Sequence, residues 1–353
     1  MNRAWKRWVP AGVITALVAS AAIAVPFVAS AAVDLPAKTP QQVLALVAQS
    51  KVGAFSGTVE QTSNLGLPQL PTTGTGADSA ASSVLSLLSS SYTARIYRDG
   101  PTRVRAQVLD KLAERDVIRN GRDVWLYSSR DNTAIHSTLP ATTDKRPAES
   151  SSEAKTPGEL ATRLLAAVDS TTTVTVGKDT RVAGRTAYDL VLTPRASDTL
   201  IGSVSIAVDS ETGLPLSVEL AARGQKSPAF SVAFSALTLA APPADLFAFT
   251  PPAGATVKQE AVPQGQTKPV KPGNGTAPKH SVTGSGWDAV LSVPAGAETT
   301  KLTSSPLFGK LTTTVAGGHL LHTALVNVLV TNDGRVFAGS VPVERLQAVA
   351  AAP

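Results

Sequence analysis

Hydrophobic and polar residues alternate along most of the chain between residues 53 and 257, and this pattern predicts β-strands. In VDSETGLPLSVEL (208–220), the alternation continues on both sides of a turn that ends at Gly213. Successive side chains of a strand face opposite sides of a sheet, so this stretch predicts a hairpin with one apolar and one polar face. We expect Ser217 and Glu219 to meet water. The expected apolar face after the turn carries Leu214, Leu216, Val218 and Leu220.

Further stretches of alternation predict a large antiparallel sheet. Within them, Asp99-Gly100 and Asn120-Gly121 are typical of the tight turns that join hairpin strands. Together the stretches predict roughly nine or ten strands before residue 258. The stretches are 53–62, 92–110, 114–139, 173–194, 203–221 and 229–240.

Two stretches with helical periodicity interrupt the strands. KTPQQVLALVAQSK (38–51) and TPGELATRLLAAVD (156–169) each contain a Thr-Pro pair, followed by Gln42 or Glu159 two residues after the proline. Threonine at the N-cap, proline at the first helical position and Gln or Glu at the third form a capping box. Two short helices among antiparallel strands predict the α+β class rather than alternating βαβ units.

Composition divides the chain into four parts. Residues 1–31 combine basic residues, a long apolar run and an A-x-A motif, which predicts a signal peptide, with an uncleaved membrane anchor as the alternative. In both cases the rest of the chain lies outside the cytoplasm. Residues 32–257 are the predicted sheet domain, 258–280 a linker rich in proline and glycine, and 281–353 a small C-terminal α+β unit. A unit of this size is marginal alone, so we expect it to dock on the sheet domain.

Composition and charge exclude several classes of function. The absence of cysteine excludes disulfides, thiolate metal sites and thiol catalysis. Residues 1–31 and 258–280 each contribute +3 to the net charge of +6, so the folded part is near neutral and no nucleic-acid-binding face is expected. The sequence also lacks the usual nucleotide, zinc-protease and nucleophile-elbow motifs. We expect no cofactor, no metal site, no catalytic residues and no enzymatic activity; a hydrolase with dispersed carboxylates is the alternative.

The predicted sheet offers more apolar surface than two short helices cover. The excess must close on itself, meet a partner or line a cavity. One possibility is a closed and filled core, and the other is a curved half-barrel with an aliphatic hollow for an acyl chain. The candidate lining residues are Val104, Ala106, Val108, Val204, Ile206, Val208, Leu214, Leu216, Val218 and Leu220.

Four segments of residues 114–257 resemble the LolA-like superfamily: NGRDVWLYSSRDN, VAGRTAYDLVLTP, VDSETGLPLSVEL and LFAFTPPAGATV. This superfamily includes the LolA lipoprotein carriers, the mycobacterial lipid binders LppX and LprG, and the N-terminal domain of the envelope-stress regulators RseB and MucB. The resemblance implies a curved antiparallel half-barrel sheet covered by two or more helices. The second unit at 281–353 is similar to RseB and departs from LolA, and the lipoprotein cysteine of LppX and LprG is missing.

The resemblance also implies a function. It predicts a non-enzymatic, extracytoplasmic protein that binds the acyl chain of a lipid or lipoprotein. The alternative is an RseB-like envelope regulator that binds an anti-sigma factor or another membrane protein, with residues 281–353 making the partner contact. None of the matching segments is a catalytic motif, so they support the fold more than the function.

Overall fold

The computed structural model of the chain describes residues 34–67, 91–109, 113–140, 156–260, 280–296, 299 and 306–352. The predicted signal segment, 1–31, lies outside the described residues, as does most of the predicted linker. The described residues from Leu35 onward belong to one compact unit, which contains two sheets. The domain boundaries proposed from the sequence stay predictions.

The larger sheet contains thirteen strands of the described residues and forms a curved, predominantly antiparallel half-barrel, which confirms the predicted α+β class. Its order is β13-β6-β5-β4-β3-β2-β1-β12-β11-β10-β9-β7, with β8 beside β9, and only the β13–β6 pair is parallel among the described strands. The strands are β1 (Ala54–Ser63), β2 (Tyr92–Asp99), β3 (Arg103–Leu109), β4 (Glu114–Asn120), β5 (Asp123–Ser128), β6 (Thr133–Thr138), β7 (Thr172–Val176), β8 (Thr180–Val182), β9 (Arg185–Pro194), β10 (Ile201–Asp209), β11 (Pro215–Ala222), β12 (Phe230–Thr238) and β13 (Thr256–Gln259).

Both predicted helices form with their predicted capping boxes. In α1 (Pro40–Gln49), the backbone N–H of Gln42 donates to Thr39 Oγ1 over 3.3 Å, and the N–H of Thr39 donates to Gln42 Oε1 over 2.8 Å. Thr156 and Glu159 make the same pair of bonds at the start of α2 (Pro157–Ala166). Each cap satisfies N–H groups that the first helical turn leaves without a partner. The helices place Val43 and Ala161, both fully buried, in the core above the β9–β11 strands.

The hairpin predicted at residues 208–220 joins β10 and β11 and has one feature that the sequence pattern did not reveal. Its register shifts between the pairs Ala207–Ser217 and Val208–Pro215, so β11 contains a bulge. The prediction that Ser217 meets water is wrong, since its side chain is buried. Its cross-strand neighbour Ala207 is buried as well, and Val218 on the other face is fully buried, so both faces of the sheet are covered at this point. Glu219 is exposed as expected.

The turn of this hairpin is held by buried charge. Asp209 is buried and accepts two hydrogen bonds of 2.9 Å from the guanidinium of Arg185. It also accepts a 3.0 Å bond from the backbone N–H of Thr212 and one from its hydroxyl. Pairing with a guanidinium and several donors compensates the desolvation of the carboxylate.

The smaller sheet contains six strands of the described residues, in the order β14-β15-β19-β18-β17-β16. It contains a hairpin around Asp333-Gly334 and a closing helix after Pro342. The elements are β14 (Ser281–Thr283), β15 (Val290–Val293), α3 (Pro306–Leu311), β16 (Thr313–Val315), β17 (Gly318–His322), β18 (Asn327–Thr331), β19 (Val336–Gly339) and α4 (Val343–Ala351).

The smaller sheet docks on the larger one, as expected for a unit of its size. Trp287 Nε1 donates to Thr172 Oγ1 over 2.8 Å, and the N–H of Leu200 donates to the carbonyl of Ser340 over 2.7 Å. Leu325 is buried in the same core as the β9–β11 strands. Hydrogen bonds and buried apolar side chains therefore join the two sheets.

Candidate functional site

The ten predicted lining residues do not all belong to one buried cluster. Five of them belong to the core beneath α1 and α2, where Val43 and Ala161 contact them. Helix side chains therefore fill the space that the sequence left open at this end of the sheet. The five are Val204, Ile206, Val208 and Val218, all fully buried, and the half-buried Leu220.

Four more lining residues belong to a second buried cluster. Val108 and Leu216 are core members of this cluster, with Ala106 and Leu214 packed against it. The tenth residue, Val104, is half-buried and belongs to neither cluster within the described residues. This cluster thus joins the β11 residues Leu214 and Leu216 to the β3 residues Ala106 and Val108, while Val104 and Ala106 stay half-buried.

A row of half-buried aliphatic side chains crosses strands β3 to β6. Cross-strand register pairs Ala106 with Val117, Val117 with Leu126, and Leu126 with Ile135, so the four share one face. Neighbouring strands are about 4.8 Å apart, which makes this row about 14 Å long. We call Ala106, Val117, Leu126 and Ile135 the apolar row. Sequence reasoning missed its last three residues, although the alternation in 114–139 was the signal for them.

The apolar row lies on the same face of the sheet as the core covered by the helices. Register connects the two regions across the intervening strands. This face is therefore closed by α1 and α2 over β9–β11 and is more open over β3–β6. The connecting residues are Val232 and Phe234 on β12, Val59 on β1, and Ala94 and Ile96 on β2.

Two arginines lie beside the apolar row. Arg98 and Arg119 are the cross-strand partners of Val104 on either side, so all three share the face of the row. Arg119 Nε donates to the carbonyl of Gly121 over 3.0 Å. Arg98 Nε is buried and has no hydrogen-bond partner among the described residues. A buried donor without a partner is destabilising, so a ligand oxygen at Arg98 would be stabilised.

The opposite face of β3–β6 is covered. Arg105 on that face donates to the buried carboxylate of Asp116, with Nε–Oδ2 at 3.0 Å, and to the carbonyl of Leu246 over 3.1 Å. Burial raises the pKa of Asp116, while the hydrogen bond from Arg105 acts in the other direction. Trp125 stacks on His136 with ring centroids 4.3 Å apart and packs against Phe249. These contacts cover this face and leave the face of the apolar row as the more open one.

The amino-acid sequence of this part of the chain matches a protein-family model. The model for the MucB/RseB N-terminal domain matches residues 86–263. The chain belongs to the MucB/RseB N-terminal domain family. This membership confirms the resemblance to the LolA-like superfamily and covers the whole apolar row, both arginines and α2.

Solved structures that resemble the chain do so distantly. A MucA/MucB complex from Pseudomonas aeruginosa has 20% identity and a TM-score of 0.43, with 88% of this chain and 96% of that chain covered. A LolA-superfamily protein from Nitrosomonas europaea has 12% identity and a TM-score of 0.24, with 60% and 99% covered. An uncharacterised protein from Thermus thermophilus has 11% identity and a TM-score of 0.35, with 62% and 98% covered. No curated protein sequence matches the chain significantly.

Across the described ranges, no three His, Cys, Asp or Glu side chains are grouped as metal ligands would be. None of the helices in those ranges has the length and apolar character needed to cross a membrane.

One carboxylate on the large sheet is expected to make stability depend on pH. Burial raises the pKa of Asp189 to about 6, the nearby charge of Glu219 adds to the rise, and a hydrogen bond with Ser205 opposes it. Because the folded state binds this proton more tightly than the unfolded state, the contribution of Asp189 to stability is fully present below about pH 4 and is lost as the pH rises through 6. Asp189→Asn should remove this loss and raise the free energy of unfolding at pH 7.5 by about 1 kcal/mol, because solvent screens part of the effect at this half-buried side chain.

Urea denaturation at pH 4 and pH 7.5 measures this effect. The parent chain should lose more stability between the two values than Asp189→Asn does. Equal losses would show that Asp189 does not carry the pH dependence.

Proposed function

We propose that this chain is a non-enzymatic, extracytoplasmic protein that binds the acyl chain of a lipid or lipoprotein against the apolar row. The observation that carries the proposal is the contrast along one face of the sheet. Apolar residues over β9–β11 are sealed by α1 and α2, whereas those of the apolar row stay half-buried. An apolar strip bordered by polar residues is typical of a ligand-binding groove.

The energetics favour a ligand with a long apolar chain. Each methylene that leaves water contributes about 0.8 kcal/mol, so several methylenes along the row outweigh the cost of ordering a flexible chain. Arg98 and Arg119 favour a negatively charged group at one side of the same ligand, because guanidinium–oxyanion hydrogen bonds are among the stronger ones. An anionic lipid therefore fits this site better than a neutral one.

A fluorescent fatty acid tests the proposal. The probe should bind the full chain saturably, and an unlabelled long-chain fatty acid should displace it. A long-chain alcohol of the same length should displace it less well, because it offers no carboxylate to the arginines. No saturable binding of the probe would argue against the proposal.

A second function is favoured by membership of the MucB/RseB family. We propose as the alternative that the chain regulates an envelope process by binding an anti-sigma factor or another membrane protein. In this version the smaller sheet makes the contact. Val282 and Leu291 pair on neighbouring strands of that sheet, and both side chains are exposed, Val282 by 62%.

Affinity purification of the full chain from its own membranes separates the two functions. A membrane protein recovered with the parent chain and lost from Val282→Asp would support the regulator. Equal recovery by both chains would reject the smaller sheet as its contact surface.

A further inference from the structure

A groove on the smaller sheet lies apart from the apolar row. It has a volume of about 460 Å³ and is formed by one face of β14, β15 and β19 together with helix α4. The groove is independent of the proposed acyl-binding function, since none of its residues belongs to the larger sheet. Its lining residues are Ser281, Thr283, Ser292, Val293, Pro294, Arg335, Phe337, Arg345, Ala348, Val349 and Ala352.

Three hydroxyl groups line the strand side of the groove. Ser281 pairs with Ser292, and Ser292 pairs with Phe337, so these three residues share one face of the smaller sheet. Thr283 is two residues after Ser281 and therefore lies on the same face. This side offers hydroxyl donors next to an aromatic ring.

The helix side contributes a guanidinium that lacks a partner. Arg345 Nε is buried and makes no hydrogen bond to any described residue. No ion pair involving Arg345 occurs in the described ranges either. A guanidinium is charged at all physiological pH values, so this position holds a positive charge without a compensating anion.

The second arginine of the groove is held in place. Arg335 Nε donates to Asp333 Oδ2 over 2.8 Å, and its guanidinium carbon is 5.3 Å from the centroid of the Phe337 ring. These contacts fix Arg335 at the wall and partly neutralise it. The lining itself contains two arginines and no acidic residue among the described residues, so the groove is positive overall.

We propose that this groove binds a phosphate or carboxylate group attached to a short apolar body. The oxyanion would accept hydrogen bonds from Arg345 and from the hydroxyls of Ser281 and Ser292, which would satisfy the buried donor. The apolar body would lie against Phe337 and Val349. Charge-assisted bonds to a guanidinium give such a site its affinity, and the apolar wall distinguishes an organic anion from inorganic phosphate.

Calorimetric titration of the full chain with phenyl phosphate at low salt tests the proposal. Saturable binding is expected, with competition by inorganic phosphate. Arg345→Gln should weaken binding by about tenfold or more, because it removes a charged donor. Ser292→Ala should weaken it by a smaller factor, and this variant should fold like the parent because only a hydroxyl is removed.

The matched control is Arg163→Gln on the exposed surface of α2, which removes the same charge far from the groove. It should bind phenyl phosphate like the parent. The proposal is overturned if the parent shows no saturable binding, if Arg345→Gln binds as the parent does, or if Arg163→Gln loses binding equally.

A further arm identifies the source of the anion. The parent chain and Arg345→Gln are each sedimented with phosphatidylglycerol vesicles and with phosphatidylcholine vesicles. Sedimentation of the parent with phosphatidylglycerol alone, lost in Arg345→Gln, would support a lipid headgroup as the ligand. Binding of phenyl phosphate without such sedimentation would support a soluble organic anion.

Discussion

Replacing Gly213 by alanine is expected to lower the free energy of unfolding by about 3–5 kcal/mol. Gly213 has a φ of +71°, and a Cβ there would lie 2.1 Å from the carbonyl oxygen of Leu46 in α1. Backbone cannot move aside as the end of a flexible side chain can, so the hairpin and the helix would have to separate. Because α1 helps to seal the β9–β11 core, moving it away would also disrupt the packing of that core.

Gly184→Ala is the matched control for this prediction. Gly184 has a φ of +78°, and a Cβ there would meet no atom within 4 Å. The substitution should cost only the left-handed conformation, about 1–2 kcal/mol. Urea denaturation of both variants measures the difference. Equal destabilisation would show that the turn does not press against α1.

Replacing Leu126 by glutamate is expected to weaken fatty-acid binding by about tenfold or more, since it places a carboxylate in the middle of the apolar row. Leu126 lies between Val117 and Ile135 in the row and is half-buried. Its new charge would also repel the carboxylate of the ligand. Titration with the fluorescent fatty acid measures the change in affinity.

Val257→Glu is the control for Leu126→Glu. Val257 is 49% exposed on β13 and pairs with Ala134, which lies on the opposite face from Ile135. The same charge is added to the same sheet, on the face that does not carry the row. This variant should bind the probe like the parent. Equal weakening by both variants would point to a general effect of charge rather than to the apolar row.

Local signals in the sequence predicted the elements well. Thr39 with Gln42, and Thr156 with Glu159, predicted both helix starts because a capping box is made by residues three apart. Asn120-Gly121 predicted a hairpin that the structure contains, for the same local reason. The α+β class follows from the order of these elements.

Which apolar residues are covered could not be predicted, because cover depends on residues far apart in the chain. Val204 and Ile206 have the same alternating pattern as Val104 and Ala106. The first two are sealed because α1 and α2 dock on their strands. The register neighbours of the β3 residues are side chains of the same sheet, on β2 and β4, which lie beside them and not on top of them. Periodicity identifies the apolar face of a strand but not the element that packs on it.

The arginines were missed for a related reason. Arg98 and Arg119 are 21 positions apart, and each is one of several arginines in alternating strands. Only the register of β2, β3 and β4 places them on both sides of Val104 and beside the apolar row. Polar residues of an alternating strand are expected on the solvent-facing side of the sheet, so sequence reasoning left both arginines out of the candidate site.

Native mass spectrometry of the purified full chain tests the central claim most directly. The parent chain and Val257→Glu should each carry a co-purifying lipid, most of it anionic, and Leu126→Glu should carry much less. A parent chain without any bound lipid, or equal lipid content in all three proteins, would contradict the account.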